Sequence, residues 1–173
     1  MNTFAHIIRI AEYEKVSYYS VILENEGQSM FENFIQKHEN INKDKLYHIV
    51  KWIEVLGKYG ARQNYFRAEG ETADASALPP SGINKEPSYI ENGKKKTNNL
   101  RLYCLRANQH VVFLFDGDIK TANKAQDCPN VKKHFKMANK ITNAIDNAFK
   151  LKEIQWDSNA NDIVFNSKIV IKI

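Results

Sequence analysis

Residues 111–115 read Val-Val-Phe-Leu-Phe, a run without a polar residue. In a β-strand, successive side chains point to opposite faces of the sheet. Five consecutive apolar residues therefore call for cover on both faces, and the run predicts a central strand. The segment before it, Leu-Arg-Leu-Tyr-Cys-Leu-Arg at 100–106, also reads as a strand. Ala107-Asn108-Gln109 between the two reads as a tight hairpin turn. Asp116-Gly117 is a second turn signal, after which residues 118–121 read as a further short strand.

The rest of the chain is organised around that hairpin. Residues 4–23 contain FAHIIRI and YYSVILE, two stretches rich in β-branched and aromatic residues, with EYEK between them as a turn. Ser29, three residues before Glu32, is a capping-box pattern that opens a helix over 29–39. Leu46, Ile49, Val50, Ile53 and Leu56 form the apolar stripe of a second helix, which starts at Asn42 and ends at Gly60. The two make a helical hairpin with a very short connection. Residues 61–99 hold Pro79, Pro80, Pro87, Gly70, Gly82 and Gly93 and read mostly as loop, with a short strand at 63–67. Pro129 and Asn130 lead into a long helix with an apolar face of Val131, Phe135, Ala138, Ile141, Ile145, Ala148 and Phe149. EIQW and DIVF then read as a strand pair, and KIVIKI alternates to the end. The expected fold is α+β: a mostly antiparallel sheet, an N-terminal helical hairpin, one long C-terminal helix and an extra C-terminal strand pair. The 173 residues are expected to form a single domain, with a core at about 17–150 and a β extension at about 151–173.

Charge is unevenly spread. The chain carries a formal +5, yet residues 85–140 alone hold twelve Lys/Arg against five Asp/Glu. The remainder is therefore slightly acidic, and the concentration of cations in one third of the chain points to a polyanionic partner. No apolar run approaches the length of a membrane span, and the N-terminus lacks the features of a secretory signal, so a cytoplasmic location without membrane contact is expected. Cys104 and Cys128 make no zinc-type spacing, and His6, His38 and His48 form no ligand set, so neither metal nor cofactor is expected. P-loop, GxSxG, HExxH and GxGxxG patterns are all missing from the sequence.

Residues 100–129, LRLYCLRANQHVVFLFDGDIKTANKAQDCP, resemble the core of the RelE/HigB toxin family. The matching elements are Arg101-Leu102-Tyr103, Asn108-Gln109, the run 111–115, Gly117, Lys120-Thr121 and Pro129. The helical hairpin and the strand before it fall in the same order, so the resemblance spans roughly residues 17–150. It implies a RelE-like fold and a metal-free endoribonuclease that cuts mRNA, free or on the ribosome, and is silenced by an antitoxin protein. It places Arg101 at the scissile phosphate and Lys120 as a second cation. The stretch after Lys120 holds neither the Tyr nor the His that serves the family as acid or base. A homodimer is a further expected assembly.

Metal-free RNA cleavage needs a base for the 2′-hydroxyl, cations for the phosphate and an acid for the leaving 5′-oxygen. Arginine suits the phosphate because its planar fork holds two oxygens. Arg101 and Lys120 are the expected catalytic cations. Arg106, Lys94, Lys95, Lys96 and Arg67 are expected to add phosphate affinity, and Tyr103, on the strand face of Arg101, to stack on a base. His110 and His134 are the weaker acid–base candidates. A second reading keeps RNA or ribosome binding without catalysis. A third makes the chain a protein-interaction module that uses a sheet edge such as KIVIKI.

Overall fold

The computed structural model describes residues 4–69, 74–121 and 127–173. Two strands come first, β1 (Phe4–Glu12) and β2 (Ser17–Leu23), paired antiparallel. Helices α1 (Met30–His38) and α2 (Lys43–Tyr59) follow. The Ser29 side chain accepts from the Glu32 amide, and the Glu32 side chain answers the Ser29 amide, so the capping box forms as read. The short strands β3 (Arg67–Ala68), β4 (Ser76–Leu78), β5 (Ile90–Glu91) and β6 (Lys94–Lys95) lead to the long hairpin of β7 (Leu100–Asn108) and β8 (Val111–Ile119). Then come α3 (Pro129–Lys150), β9 (Ile154–Trp156), β10 (Ile163–Phe165) and β11 (Ile171–Lys172).

Seven strands form one sheet in the order β11-β1-β2-β8-β7-β4-β3. This layout corrects the expected one. The helical hairpin is not N-terminal, because two sheet strands precede it. The sheet is also mixed, because β2 and β8 run parallel with Ser17 opposite Val111 and Tyr19 opposite Phe113. The physical reason lies in the two hairpins: β1–β2 and β7–β8 stand side by side, and each brings one apolar strand to the middle, where both faces are covered. The RelE-like arrangement is therefore not the one found.

The two faces bury two separate cores. Val111, Phe113 and Phe115 join Tyr19, Val21, Tyr103 and the Val131, Phe135, Ala138, Ile141 and Ile145 stripe of α3. Val112 and Leu114 point the other way, into Phe34 of α1 and Leu46, Ile49, Trp52, Ile53 and Leu56 of α2. The apolar run thus alternates between two helical layers, which is why it needs no polar residue. Tyr18 on that second face donates its phenol to the Ile53 carbonyl at 2.7 Å.

Three local readings change. Asp116-Gly117 is not a turn, for β8 runs straight through it, with a register shift opposite Leu102 and Cys104. A Cβ on Gly117 would collide with the Arg101 backbone carbonyl, so glycine here allows close strand approach. In the Pro-rich segment, Ser76–Leu78 pairs with β7 and lies inside the sheet. Gln63–Tyr65 is a turn of 3-10 helix rather than strand. At the C-terminus β9 and β10 form their own two-stranded sheet, whereas β11 joins the edge of β1. Asp162 fastens this region to the main sheet by accepting from Arg9 at 2.7 Å and from the Tyr19 phenol. Among the described residues, no helix is long and apolar enough to cross a membrane.

Candidate functional site

Sheet register assembles one charged cluster. Arg67 on β3 stands opposite Ala77 on β4, which stands opposite Tyr103 on β7. The small Ala77 leaves the row open between the two large side chains. Arg101 lies two residues before Tyr103 and so shares its face. Lys120 follows the last residue of β8, where its amide donates to the Asn99 carbonyl at 2.8 Å. Glu69 follows β3 and closes the cluster.

The Glu69 carboxylate accepts from Arg101 Nε at 3.1 Å on one oxygen and from Lys120 Nζ at 2.6 Å on the other. Its side chain is 0% exposed, with Arg101 at 6% and Lys120 at 11%. Arg101 Nη1 also donates to the carbonyls of Asn98 at 2.6 Å and Leu100 at 3.2 Å. Arg67 donates through Nε to Pro79 and through Nη2 to Pro80, each at 3.2 Å. Two cations thus pair with one carboxylate and Arg67 stands near enough to feel both Arg101 and Glu69, an excess of positive charge in a nearly dry site, where electrostatic interactions are strong. Burial and the neighbouring Arg101 push the Arg67 guanidinium down to about 10. Burial also lowers Arg101, and Glu69 opposes that shift. The Tyr103 phenol is pushed well above its usual range by burial first and by Glu69 second. Its hydroxyl is buried and has no hydrogen-bond partner among the described residues.

The structure therefore brings together Arg101, Lys120, Arg67 and Tyr103 of the expected set. It places the others elsewhere. Arg106 donates through Nε to the Ala61 carbonyl at 2.5 Å, beside the core that α2 covers. Lys94 and Lys95 form the exposed strand β6, and Lys95 pairs with Glu86 at 3.0 Å. Lys96 is exposed, and its amide donates to the Tyr89 carbonyl at 3.0 Å. No hydrogen bond or ion pair among the described residues links these three lysines to the cluster. Tyr103 is fully buried and stands tilted against Phe135 of α3 rather than open to stack on a base. His110 lies on the far end of the hairpin, with its Nδ1 2.8 Å from the Lys15 carbonyl. Residues 122–126 of the segment after Lys120 lie outside the described residues.

Glu69 was missed by sequence reasoning. The only signal for it is the alternation Arg67-Ala68-Glu69, which puts both charges on one strand face. The candidate His134 belongs to a second polar group, whose other members, Lys37 and Asp116, sequence reasoning missed. Lys37 Nζ lies 3.1 Å from Asp116 Oδ1 and 3.4 Å from His134 Nε2, and His134 Nδ1 lies 3.9 Å from Asp116 Oδ2. These residues come from α1, β8 and α3, so no sequence spacing announces them. Among the described residues no group of three or more His, Cys, Asp or Glu is placed to hold a metal ion. Comparison with protein-family models, with curated proteins and with solved structures returned no match for this chain.

Proposed function

We propose that the chain is a cytoplasmic, toxin-like protein that binds RNA at the Arg101–Lys120 cluster and cuts it without a metal, with an antitoxin protein as its silencing partner. The reading is of the kind that the RelE/HigB resemblance implies, and one observation carries it: Glu69 stands between the two cations expected to hold the phosphate. A carboxylate at that place is a base of the type that the sequence did not supply. The phosphate takes the carboxylate's place between Arg101 and Lys120, and the displaced Glu69 accepts the 2′-hydroxyl proton. The 2′-oxygen then bonds to phosphorus as the bond to the 5′-oxygen breaks, and the leaving oxygen takes up a proton. The products are a 2′,3′-cyclic phosphate and a 5′-hydroxyl end. Water supplies that last proton, because the Tyr103 hydroxyl is fully buried and closed to the substrate.

Binding without cleavage is the second reading. It is favoured by the commitment of Arg101 Nε and Nη1 to protein acceptors. Primer extension on mRNA after induced expression decides between the two. The nuclease reading expects new, discrete 5′ ends with the wild-type chain and their loss in Glu69→Gln and Lys120→Ala. Intact mRNA with the wild-type chain rejects cleavage.

A further inference from the structure

A cleft of 310 Å³ opens where the end of β2, the start of α1, β8 and α3 meet. Leu23, Met30 and Met137 give it apolar walls, and Gln28, Asn33, Asp116 and His134 line it with polar groups. Glu26 and Lys133 stand at its lining as well. The two amides are held in place: Gln28 Nε2 donates to Asn33 Oδ1 and, at 2.9 Å, to Gln36 Oε1. Behind the cleft, the Lys37 ammonium approaches both Asp116 Oδ1 and His134 Nε2. An ammonium can only donate, so His134 Nε2 accepts and the ring proton sits on Nδ1, facing Asp116. Burial acts in the same direction and favours the neutral imidazole.

The geometry points to this cleft as a recognition pocket for one unpaired nucleobase of an RNA strand. Its volume is of the size that encloses a single small ligand. Two methionines and a leucine make an apolar slot, and thioether sulfur packs favourably against the rim and face of an aromatic ring. Gln28 Oε1 and Asn33 Nδ2, which those hydrogen bonds do not use, offer an acceptor and a donor together, the chemistry that reads base edges in single strands. Lys133 supplies a cation for the phosphate that such a nucleotide carries. Asp116 and Lys120 are four residues apart along one chain segment, on the order of 13 Å at strand rise. A strand held by its phosphate at the Lys120 cluster therefore extends within reach of the cleft. The inference rests on the RNA reading for its substrate class, but it concerns different residues.

Isothermal titration of the full chain with each of the four nucleoside 3′-monophosphates tests it, with inorganic phosphate as the control probe. The expected result is saturable one-to-one binding of at least one nucleotide, no competition from inorganic phosphate, and a loss of about tenfold in affinity in Gln28→Ala and in Met137→Ala, which remove a contact each. Gln28 and Met137 are only partly buried, so these variants are expected to fold. Absence of nucleotide binding, equal binding of inorganic phosphate, or unchanged affinity in both variants overturns the pocket. The same chain titrated with single-stranded RNA separates the two failures. RNA binding without nucleotide binding rejects the pocket alone. Nucleotide binding without RNA binding rejects the RNA reading and leaves the pocket standing.

Discussion

Lys120 Nζ stands 2.6 Å from Glu69 Oε2, and the carboxylate's other oxygen meets Arg101 Nε at 3.1 Å. One buried anion therefore holds two cations that lie nineteen residues apart in the sequence. Removing the anion leaves both without their counter-charge in a site that water barely reaches. Breaking a buried pair from one side costs about 3–5 kcal/mol. Glu69→Ala should lower the unfolding free energy by about that amount in urea titration. Lys120→Ala should cost less, because Glu69 then keeps Arg101. A loss below about 1 kcal/mol in Glu69→Ala would show a solvated cluster, as for exposed pairs.

Acid should weaken the fold through its histidines. Burial lowers His38, His48 and His134 below their usual 6.5. The Gly117 and Pro87 carbonyls that His38 and His48 face oppose that shift, but burial outweighs them. His48 Nε2 faces the Pro87 carbonyl at 2.8 Å, and its Nδ1 faces the Asn98 amide at 3.0 Å. The unfolded chain takes up protons on these rings first, so stability is complete above about pH 6.5 and falls as pH drops below it. Each ring contributes at most about 1.4 kcal/mol per pH unit in that window. The melting temperature should therefore fall from about pH 7 to about pH 5, and less steeply in His48→Gln. A flat profile over that range refutes the assignment.

Gly117→Ala should be costly although the site is a strand and not a turn. The added methyl would meet the backbone carbonyl of Arg101, which has no flexible side chain to yield. Overpacking of this kind costs about 1–3 kcal/mol. Because the collision is with Arg101 itself, the change should also disturb the Glu69 cluster. Hydrogen exchange at the β7 amides around residue 101 reports it, and unchanged protection there argues against close approach.

Much of the fold was legible where a pattern reflects local physics. The run 111–115 called for two covered faces and has them; the Ser29–Glu32 capping box opens α1; the stripe from Leu46 to Leu56 packs α2 on the sheet. What the sequence hid depends on long-range pairing. Nothing in Ser17–Leu23 tells that its neighbour is β8 and that the two run parallel. Ser76–Leu78 is three residues in a Pro-rich stretch, and only β7 makes it a strand. Asp116-Gly117 reads as a turn locally, but its glycine serves strand contact. Of the candidate cluster, Arg101 and Lys120 were named through the family resemblance, whereas Glu69 enters only through the β3–β4–β7 register.

The most direct measurement of the central claim is the affinity of the purified chain for a labelled single-stranded RNA across a series of salt concentrations, for wild type and Lys120→Ala. Each phosphate contact to a single strand contributes about −0.7 to the slope of log affinity against log salt. The account predicts steeply salt-dependent binding for wild type and, for Lys120→Ala, weaker binding with a slope shallower by about 0.7. Wild-type binding that ignores salt, or an unchanged slope and affinity in Lys120→Ala, would contradict it.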